Sequence, residues 1–432
     1  MTNIQAALDR IAARRPRIID LSLDRVFAAL AALGNPHQSL PPVFHVAGTN
    51  GKGSTIAFLR AMLEAANKSV HVYTSPHLVR FNERIVLNGQ EISDDALIAA
   101  LNAVDEAVGD EKLTYFETIT CAAFTAFAQA PADILLLEVG LGGRLDATNV
   151  LDKPLAAVCA PIDMDHQAFL GEAISAIAAE KAGIFRKGAP AVIGRQNEDA
   201  MATLLRHADE IGARSYAMGR DWDAYLERGR LVFQDDAGLL DLDAPRLPGL
   251  HQADNAGLAI AALRASSVAI EQRDLSHGVA TARWPGRLQR LTRGPLIDLA
   301  LDILGEDPEV WLDGGHNPHA GRAIAAVMAD LETRAPRPLT LIAGMQANKD
   351  AYGFFENFSG LAQAAFIVAA DHDNAAPVKD IAEAALNAGV PAQPCASLPD
   401  AMRAACANGD GAPRVLICGS LYLAGDVLRE NA

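Results

Sequence analysis

Short apolar runs alternate with longer Ala/Leu-rich stretches along the first half of this chain. The runs are Val43–Ala47, Val70–Thr74, Ile134–Val139, Ala156–Ala160 and Ala191–Gly194. That alternation predicts a mostly parallel sheet covered by helices. A second series follows at Val310–Leu312, Leu339–Ala343, Ala365–Ala369 and Val415–Cys418. Between the two series lie Trp284-Pro285-Gly286-Arg287 and an irregular segment around Gly294-Pro295, where proline and glycine stop regular structure. The junction is expected near 284–296, dividing the chain into a domain over 1–288 and a smaller one over 289–432. Two α/β domains with a cleft between them is the expected architecture, and such clefts favour ligand sites.

The first run opens into the most informative stretch, Val43-Phe44-His45-Val46-Ala47-Gly48-Thr49-Asn50-Gly51-Lys52-Gly53-Ser54-Thr55. A Gly-rich loop with one lysine follows a strand and precedes a helix-compatible stretch, Ile56–Ala66. Such a strand–loop–helix unit wraps nucleotide phosphates. Gly48, Gly51 and Gly53 let backbone N–H groups approach phosphate oxygens, Lys52 adds a mobile positive charge, and the new helix adds its positive end. The common pattern G-x-x-x-x-G-K-[ST] would place Gly at 46 and Ser or Thr at 53. Val46 and Gly53 stand there instead, and the hydroxyls come one residue late, at Ser54 and Thr55. A mobile turn that holds a Gly-Lys pair is the alternative; the strand before, the helix after and the three glycines weigh against it.

At 432 residues the chain is too long for one ordinary core, which supports two domains. Half the residues are apolar and about a fifth charged, as in a soluble globular protein. The formal charge of −16 argues against a nucleic-acid or anionic-membrane partner, since both need a basic face, but leaves room for a local phosphate pocket. Five scattered cysteines (Cys121, Cys159, Cys395, Cys406, Cys418) without a C-x-x-C fit buried thiols in a reducing cytoplasm better than disulfides or zinc. Met1 to Arg10 has no apolar core of signal-peptide type, and no apolar run reaches membrane-spanning length. A cytoplasmic location is expected.

Other polar residues stand where strands end. Asp133-Ile134-Leu135-Leu136-Leu137-Glu138-Val139-Gly140 reads as a buried strand closed by a carboxylate and followed by glycines. Ligands gather at carboxyl ends of parallel strands, so Glu138 is suited to hold Mg²⁺ against phosphates; a solvent-facing Glu is the alternative. Asp163-Met164-Asp165-His166 follows the next run, although a lone His is more often structural than a ligand. Lys181 falls near the end of an expected helix, Ile174–Ala182, which stops at Gly183, and reads as a solvated lysine favoured by the helix dipole. Thr74-Ser75-Pro76-His77-Leu78 closes the second run, with its polar groups expected at the phosphate site. Asp313-Gly314-Gly315-His316-Asn317-Pro318 follows Val310-Trp311-Leu312. Its Asp and His suit ribose hydroxyls or an adenine edge, a plain strand-to-helix turn being the alternative.

Taken together, these motifs closely resemble the dihydrofolate synthase/folylpolyglutamate synthase branch of the Mur ligase family. The resemblance runs from Ile19-Asp20-Leu21 to Cys418-Gly419-Ser420-Leu421-Tyr422 and rests on six motifs in the family's order. They are Gly-Thr-Asn-Gly-Lys-Gly-Ser (48–54), Ser-Pro-His-Leu (75–78), Leu-Thr-Tyr-Phe-Glu (113–117), Glu-Val-Gly-Leu-Gly-Gly-Arg-Leu-Asp-Ala-Thr-Asn (138–149), Glu-Lys-Ala-Gly-Ile (180–184) and Asp-Gly-Gly-His-Asn-Pro (313–318). The family also accounts for both departures of the phosphate loop. It implies an α/β fold, with an N-terminal P-loop-type, mostly parallel sheet domain bearing helices on both faces and a smaller C-terminal Rossmann-like domain.

The resemblance implies ATP and two Mg²⁺ ions as cofactors. Asn50, Gly51, Lys52, Gly53, Ser54 and Thr55 would cradle ATP, with Lys52 on the outer phosphates. Ser75 and Glu138 would hold one Mg²⁺, and His166 a second. Lys181 matches the lysine that this family carbamylates. Lys52, Glu138, His166 and Lys181 thus form the catalytic set. Asn255, Arg287, Asp313 and His316 match further ATP contacts, while Thr114, Phe116 and Asp146 match positions around the pterin. The implied reaction adds L-glutamate to dihydropteroate and to folates through an acyl phosphate, in a monomer. Competing readings are a monofunctional folylpolyglutamate synthase, a ligase of UDP-sugar peptides, and a P-loop kinase or nucleotide switch. Leu113–Glu117 and the Ser-Pro-His-Leu loop favour the folate branch over a ligase of UDP-sugar peptides, and a kinase or switch would leave 313–318 unexplained. Gly315 replaces the family's alanine, a small-for-small change expected to cost little; Leu296–Pro308 looks variable and receives no role.

Overall fold

The computed structural model describes residues 3–14, 22–109, 113–306, 308–372, 374–408 and 411–431, with Asn3, Arg14 and Ala168 described by backbone alone. Ile19-Asp20-Leu21, at the start of the resemblance, lies outside the described residues. The chain forms two compact units, Met1–Arg246 with Gln252–Arg283, and Leu247–His251 with Trp284–Ala432.

The first unit is built on an eight-stranded sheet of β1 (Val43–Ala47), β2 (Val70–Tyr73), β3 (Ile85–Leu87), β4 (Gln90–Glu91), β5 (Ile134–Glu138), β6 (Ala156–Cys159), β7 (Pro190–Ile193) and β8 (Arg214–Ala217). Their order is β4-β3-β2-β5-β1-β6-β7-β8. All neighbours are parallel except the hairpin β2-β3-β4. Every residue of β1, β2, β5 and β6 is buried, which is why these strands read as continuous apolar runs rather than alternating ones. One core gathers Leu135, Leu137 and Tyr73 with Phe124 and Phe127 of the helix Tyr115–Gln129; another gathers Ala157, Cys159 and Ile193 with Ile177 and Leu204. The helix after the phosphate loop is Lys52–Ala65, so it begins four residues before the expected Ile56 and takes in the lysine itself. Gly51, at φ 82°, makes that early start possible.

A three-stranded antiparallel sheet completes the unit: β9 (Trp222–Glu227), β10 (Arg230–Asp235) and β11 (Gly238–Asp243). Glu227 pairs with Arg230, leaving Arg228 and Gly229, both at positive φ, as a two-residue hairpin turn.

The second unit holds β12 (Gln289–Leu291), β13 (Glu309–Leu312), β14 (Leu339–Ala343), β15 (Ala362–Ile367), β16 (Ala392–Pro394) and β17 (Arg414–Cys418) in the order β12-β13-β17-β14-β15-β16. Only β12 runs antiparallel to its neighbour. Two sequence expectations are corrected here. β15 covers Ala362–Ile367 rather than Ala365–Ala369, because Ala362 and Ala364 already pair with Leu339 and Thr340 of β14, the register shifting past the exposed Gln363 between them. Gly294-Pro295 does not interrupt regular structure but starts it: Pro295 is the first residue of the helix Pro295–Leu304, where its missing N–H costs nothing. The segment left without a role is therefore largely this helix. All five cysteines are free; four are buried and Cys395 is half-buried. Among the described residues no helix is long and apolar enough to cross a membrane.

Candidate active site

The phosphate-type loop leaves the carboxyl end of β1 and is laced to the segment after β6. Thr49 N and Asn50 N donate to Pro161 O at 2.9 and 3.2 Å, and Thr49 Oγ1 donates to Asp163 O at 3.0 Å. A Cβ on Gly48 would lie 2.7 Å from Ala160 Cβ, so glycine is needed for this close approach. A Cβ on Gly51 would lie 2.5 Å from Asn255 Oδ1, placing Asn255 directly against the loop. Asn255 Nδ2 donates to Gln252 Oε1 at 3.0 Å, and Gln252 Nε2 reaches Ser54 Oγ at 3.5 Å. Gln252 was no sequence candidate, although it stands three residues before Asn255. The loop is cross-braced, which removes the mobile-turn alternative.

Two lysines meet on one carbonyl. Lys52 Nζ donates to Gly48 O at 3.2 Å and to Thr49 O at 3.4 Å, while Lys181 Nζ donates to the same Gly48 O at 3.0 Å. Lys181 is buried, contrary to the solvated helix-end lysine that its sequence suggests. Burial first, and the nearby Lys52 charge second, hold its pKa down to about 8. Glu138, at the end of β5, is also buried rather than solvent-facing. Its Oε1 lies 3.9 Å from Lys52 Nζ, and its Oε2 accepts from Ser75 N at 3.2 Å. Thus Lys52, Ser75, Glu138, Lys181 and Asn255 converge on the phosphate-type loop.

Interlocked glycines explain how Lys181 is buried. A Cβ on Gly143 would fall 2.8 Å from Glu180 O and 3.0 Å from Lys181 O. A Cβ on Gly183 would fall 2.4 Å from Arg144 Cβ and 2.5 Å from Arg144 Cα. Arg144 N donates to Glu180 O at 2.8 Å, and Asn149 Nδ2 donates to both Arg144 O and Gly183 O at 3.0 Å. The loop after β5 therefore rests on the last turn of the helix Ile174–Ala182. Gly183 has φ −58°, which any residue can adopt, so its glycine is required by space alone. Gly183→Ala should destabilise the protein by about 1–3 kcal/mol, the usual cost of overpacking, read as a fall in the urea midpoint.

Thr114 caps the helix Tyr115–Gln129: its Oγ1 accepts from Glu117 N at 3.2 Å, and its N–H donates to Glu117 Oε2 at 2.6 Å. Arg25 holds Glu117 in turn at 2.8 Å. Phe116 lies against the backbone after Glu138, since a Cβ on Gly140 would fall 2.4 Å from its Cζ. Asp146 is buried, and its carboxylate accepts from Leu141 N, Thr148 N and Thr148 Oγ1 at 2.8, 3.0 and 2.5 Å. Burial pushes its pKa up against those hydrogen bonds. His166 is more exposed, at φ 53°, with Nε2 4.0 Å from Asp165 Oδ1; that same Asp165 acts electrostatically on Lys181.

In the second unit, the loop after β13 is built around Asp313. Its buried carboxylate accepts from Leu288 N at 2.8 Å and Gly315 N at 2.6 Å, and burial raises its pKa while Arg287 opposes the rise. Gly314 N donates to Gly286 O at 2.9 Å, so the Arg287 segment and this loop are joined. His316 Nδ1 lies 2.9 Å from Gly314 O. Asn317 caps the helix Pro318–Arg334 by accepting from Ala320 N, and Pro318 follows at its first position. His251 was not marked by sequence; burial, with His319 and Arg287 nearby, holds its pKa at about 4. At Gly315 an added Cβ would meet Ile324 Cδ1 at 2.7 Å and Asp313 Oδ1 at 2.9 Å, so glycine suits the packing of this chain.

A cross-braced, lysine-bearing loop at the carboxyl edge of a parallel sheet defines an α/β protein of the nucleotide-phosphate-binding class. Two family models match: the Mur ligase middle domain over residues 46–263, and the Mur ligase glutamate ligase domain over residues 301–421. The Escherichia coli dihydrofolate synthase/folylpolyglutamate synthase is 37% identical over 95% of this chain and 92% of its own length. The Lacticaseibacillus casei folylpolyglutamate synthase is 33% identical over 93% of this chain and 92% of its own length. Among solved structures, E. coli FolC in complex with DHPP and ADP superposes with a TM-score of 0.87 at 34% identity, covering 98% of this chain and 96% of that one. A bifunctional folylpolyglutamate synthase/dihydrofolate synthase with Mn, AMPPNP and L-glutamate bound gives 0.85 at 32% identity, covering 98% and 97%. The chain belongs to the Mur ligase family, in its dihydrofolate synthase/folylpolyglutamate synthase branch. It is an ATP-dependent amino-acid ligase.

Proposed function

We propose that this chain joins L-glutamate to dihydropteroate, forming dihydrofolate, and to the γ-carboxylate of folates, lengthening a polyglutamate tail. The observation that carries the reading is the meeting of Lys52 and Lys181 on Gly48 O, with Glu138 beside Lys52 and with Gly140 and Phe116 next in line. Phosphate chemistry at the end of β1 thereby stands next to an aromatic wall for a flat substrate, which the helix Tyr115–Gln129 lays against the end of the adjacent β5.

In the first step a carboxylate oxygen of the acceptor attacks the γ-phosphorus of ATP, and the bond to the ADP oxygen breaks. In the second, the neutral amino nitrogen of glutamate attacks the acyl-phosphate carbonyl; the carbon–oxygen bond to phosphate breaks and the nitrogen releases a proton. No protein nucleophile is needed. The protein positions the reactants and neutralises charge. Asn50 to Thr55 and Asn255 cradle the nucleotide, with Lys52 on its outer phosphates. Arg287, Asp313 and His316 are the nucleotide contacts assigned to the second unit. Thr114, Phe116 and Asp146 belong to the acceptor side.

The residues also fit a divalent cation. Glu138 offers a buried hard carboxylate beside Ser75, and Thr55 Oγ1 is buried without a hydrogen-bond partner among the described residues. Among the described residues no group of three or more His, Cys, Asp and Glu side chains stands ready for a metal. Ser75 and Glu138 would therefore hold Mg²⁺ together with phosphate oxygens and water, its usual arrangement. Bound there, the ion would spread the negative charge of the transferring phosphoryl group. His166 is assigned to a second ion, with Lys181 as a carbamate beside it. The reading places the enzyme in the cytoplasm as a monomer.

Purified protein with ATP, Mg²⁺ and L-glutamate should release ADP with 7,8-dihydropteroate and with tetrahydrofolate alike. Turnover with tetrahydrofolate alone would reduce the assignment to a folylpolyglutamate synthase. Silence with both, in protein that binds ATP, would reject it in favour of UDP-sugar peptides.

A further inference from the structure

We propose that His45 is a positioning residue for the acceptor substrate, acting through Thr148 on the Asp146 turn. The inference rests on the reading above, in which the loop after β5 borders the acceptor. His45 is the third residue of β1, three before Gly48, and is only 1% exposed. In sequence it is a lone polar residue inside an apolar run, with no motif of its own.

Its Nε2 lies 2.9 Å from Thr148 Oγ1, and the same hydroxyl donates to Asp146 Oδ1 at 2.5 Å. A hydroxyl carries one proton. With that proton committed to the carboxylate, the Thr148 oxygen accepts from His45, which fixes the ring as the Nε2–H tautomer. Burial first, and Arg186 second, hold the ring pKa down to about 3, so it is a neutral donor at any working pH. The relay thus has a direction: His45 donates to Thr148, and Thr148 donates to Asp146.

Asp146 is the point where this direction matters. A buried carboxylate stays ionised only while its donors point at it. Backbone N–H groups of Leu141, Thr148 and Gly140 supply part of that support and cannot turn away. The Thr148 hydroxyl is the side-chain donor, and it can rotate unless a partner occupies its lone pair. Through Leu141 the carboxylate fixes the stretch between Gly140, which lies against Phe116, and Gly143, which lies against the Lys181 carbonyl. His45 therefore ties the strand that carries the phosphate-type loop to the loop that touches both Phe116 and Lys181.

Three variants separate positioning from simple packing. His45→Leu removes the donor, Thr148→Val removes the hydroxyl at almost constant shape, and His45→Gln restores an N–H near the ring Nε2. His45→Leu and Thr148→Val should each raise the KM for dihydropteroate about tenfold, the value of one well-placed hydrogen bond. The KM for ATP should stay within about twofold, and kcat should change less than the acceptor KM. His45→Gln should recover most of the loss, and His45→Leu with Thr148→Val should be no worse than Thr148→Val alone, as expected for residues acting in series. Unchanged acceptor KM in Thr148→Val would overturn the inference, whether or not His45→Leu folds. So would equal rises in the KM of ATP and acceptor. Wild-type protein that binds ATP but turns over no pteroate would remove the acceptor reading and this inference with it; active wild type with indifferent variants would remove the inference alone.

Discussion

Lys52→Ala should lower the turnover number for ADP release by about 10²–10³, the range seen when one preorganised electrostatic donor is removed from a transition state. The fold leaves little else for this residue to do. Its ammonium is tethered to Gly48 O and Thr49 O and stands 3.9 Å from Glu138, beside the first turn of the helix that it begins. As a strut it is replaceable, because Lys181 donates to the same Gly48 carbonyl. Stability should accordingly fall by less than about 1 kcal/mol, as for a part-exposed charged contact. A variant with normal turnover and a lowered melting midpoint would make Lys52 a structural brace instead.

Lys181→Ala should cost a similar factor in turnover, and activity of the native enzyme should depend on dissolved carbon dioxide. Carbamate formation requires the neutral amine. With its pKa held to about 8, Lys181 offers that form at neutral pH far more often than an ordinary lysine near 10.4, by a factor of roughly 10². Enzyme stripped of carbon dioxide should lose activity and regain it with bicarbonate, with the extent of regain rising with pH up to about 8 and levelling above it. The same shift affects folding while the lysine is unmodified. Its native pKa lies below the unfolded value, so the unfolded state binds more protons between about pH 8 and 10.4. The burial penalty is complete below pH 8 and relieved as pH rises through that window. Full activity in carbon-dioxide-free buffer, or in Lys181→Ala, would remove the carbamate from the account.

What could be read from the chain follows from how each feature is made. β1, β5 and β6 are buried on both faces, so their order along the chain survives as plain apolar runs. The phosphate-type loop is legible because glycine, lysine and strand–helix context fall within one short stretch. Lys181 is different. Its burial is produced by Gly143 and Arg144, almost forty residues earlier, closing on Glu180 and Gly183. Helix periodicity at Ile174–Ala182 carries no trace of that contact, and only the family motif marked the lysine. His45 and Gln252 were passed over for the same reason, since their partners lie far away in sequence. The β9–β11 sheet was legible in principle, through Arg228-Gly229 between two short mixed runs, but a search for longer apolar runs does not register such part-exposed strands.

The acyl phosphate is the centre of the account, and an oxygen label tests it most directly. Acceptor carrying oxygen-18 in its reacting carboxylate should be incubated with the enzyme, ATP, Mg²⁺ and L-glutamate, and the released inorganic phosphate examined by mass spectrometry. Attack of that carboxylate on the γ-phosphorus, followed by displacement by the glutamate amine, predicts one labelled oxygen in each phosphate released. Amide product accompanied by unlabelled phosphate would contradict activation through an acyl phosphate at this site.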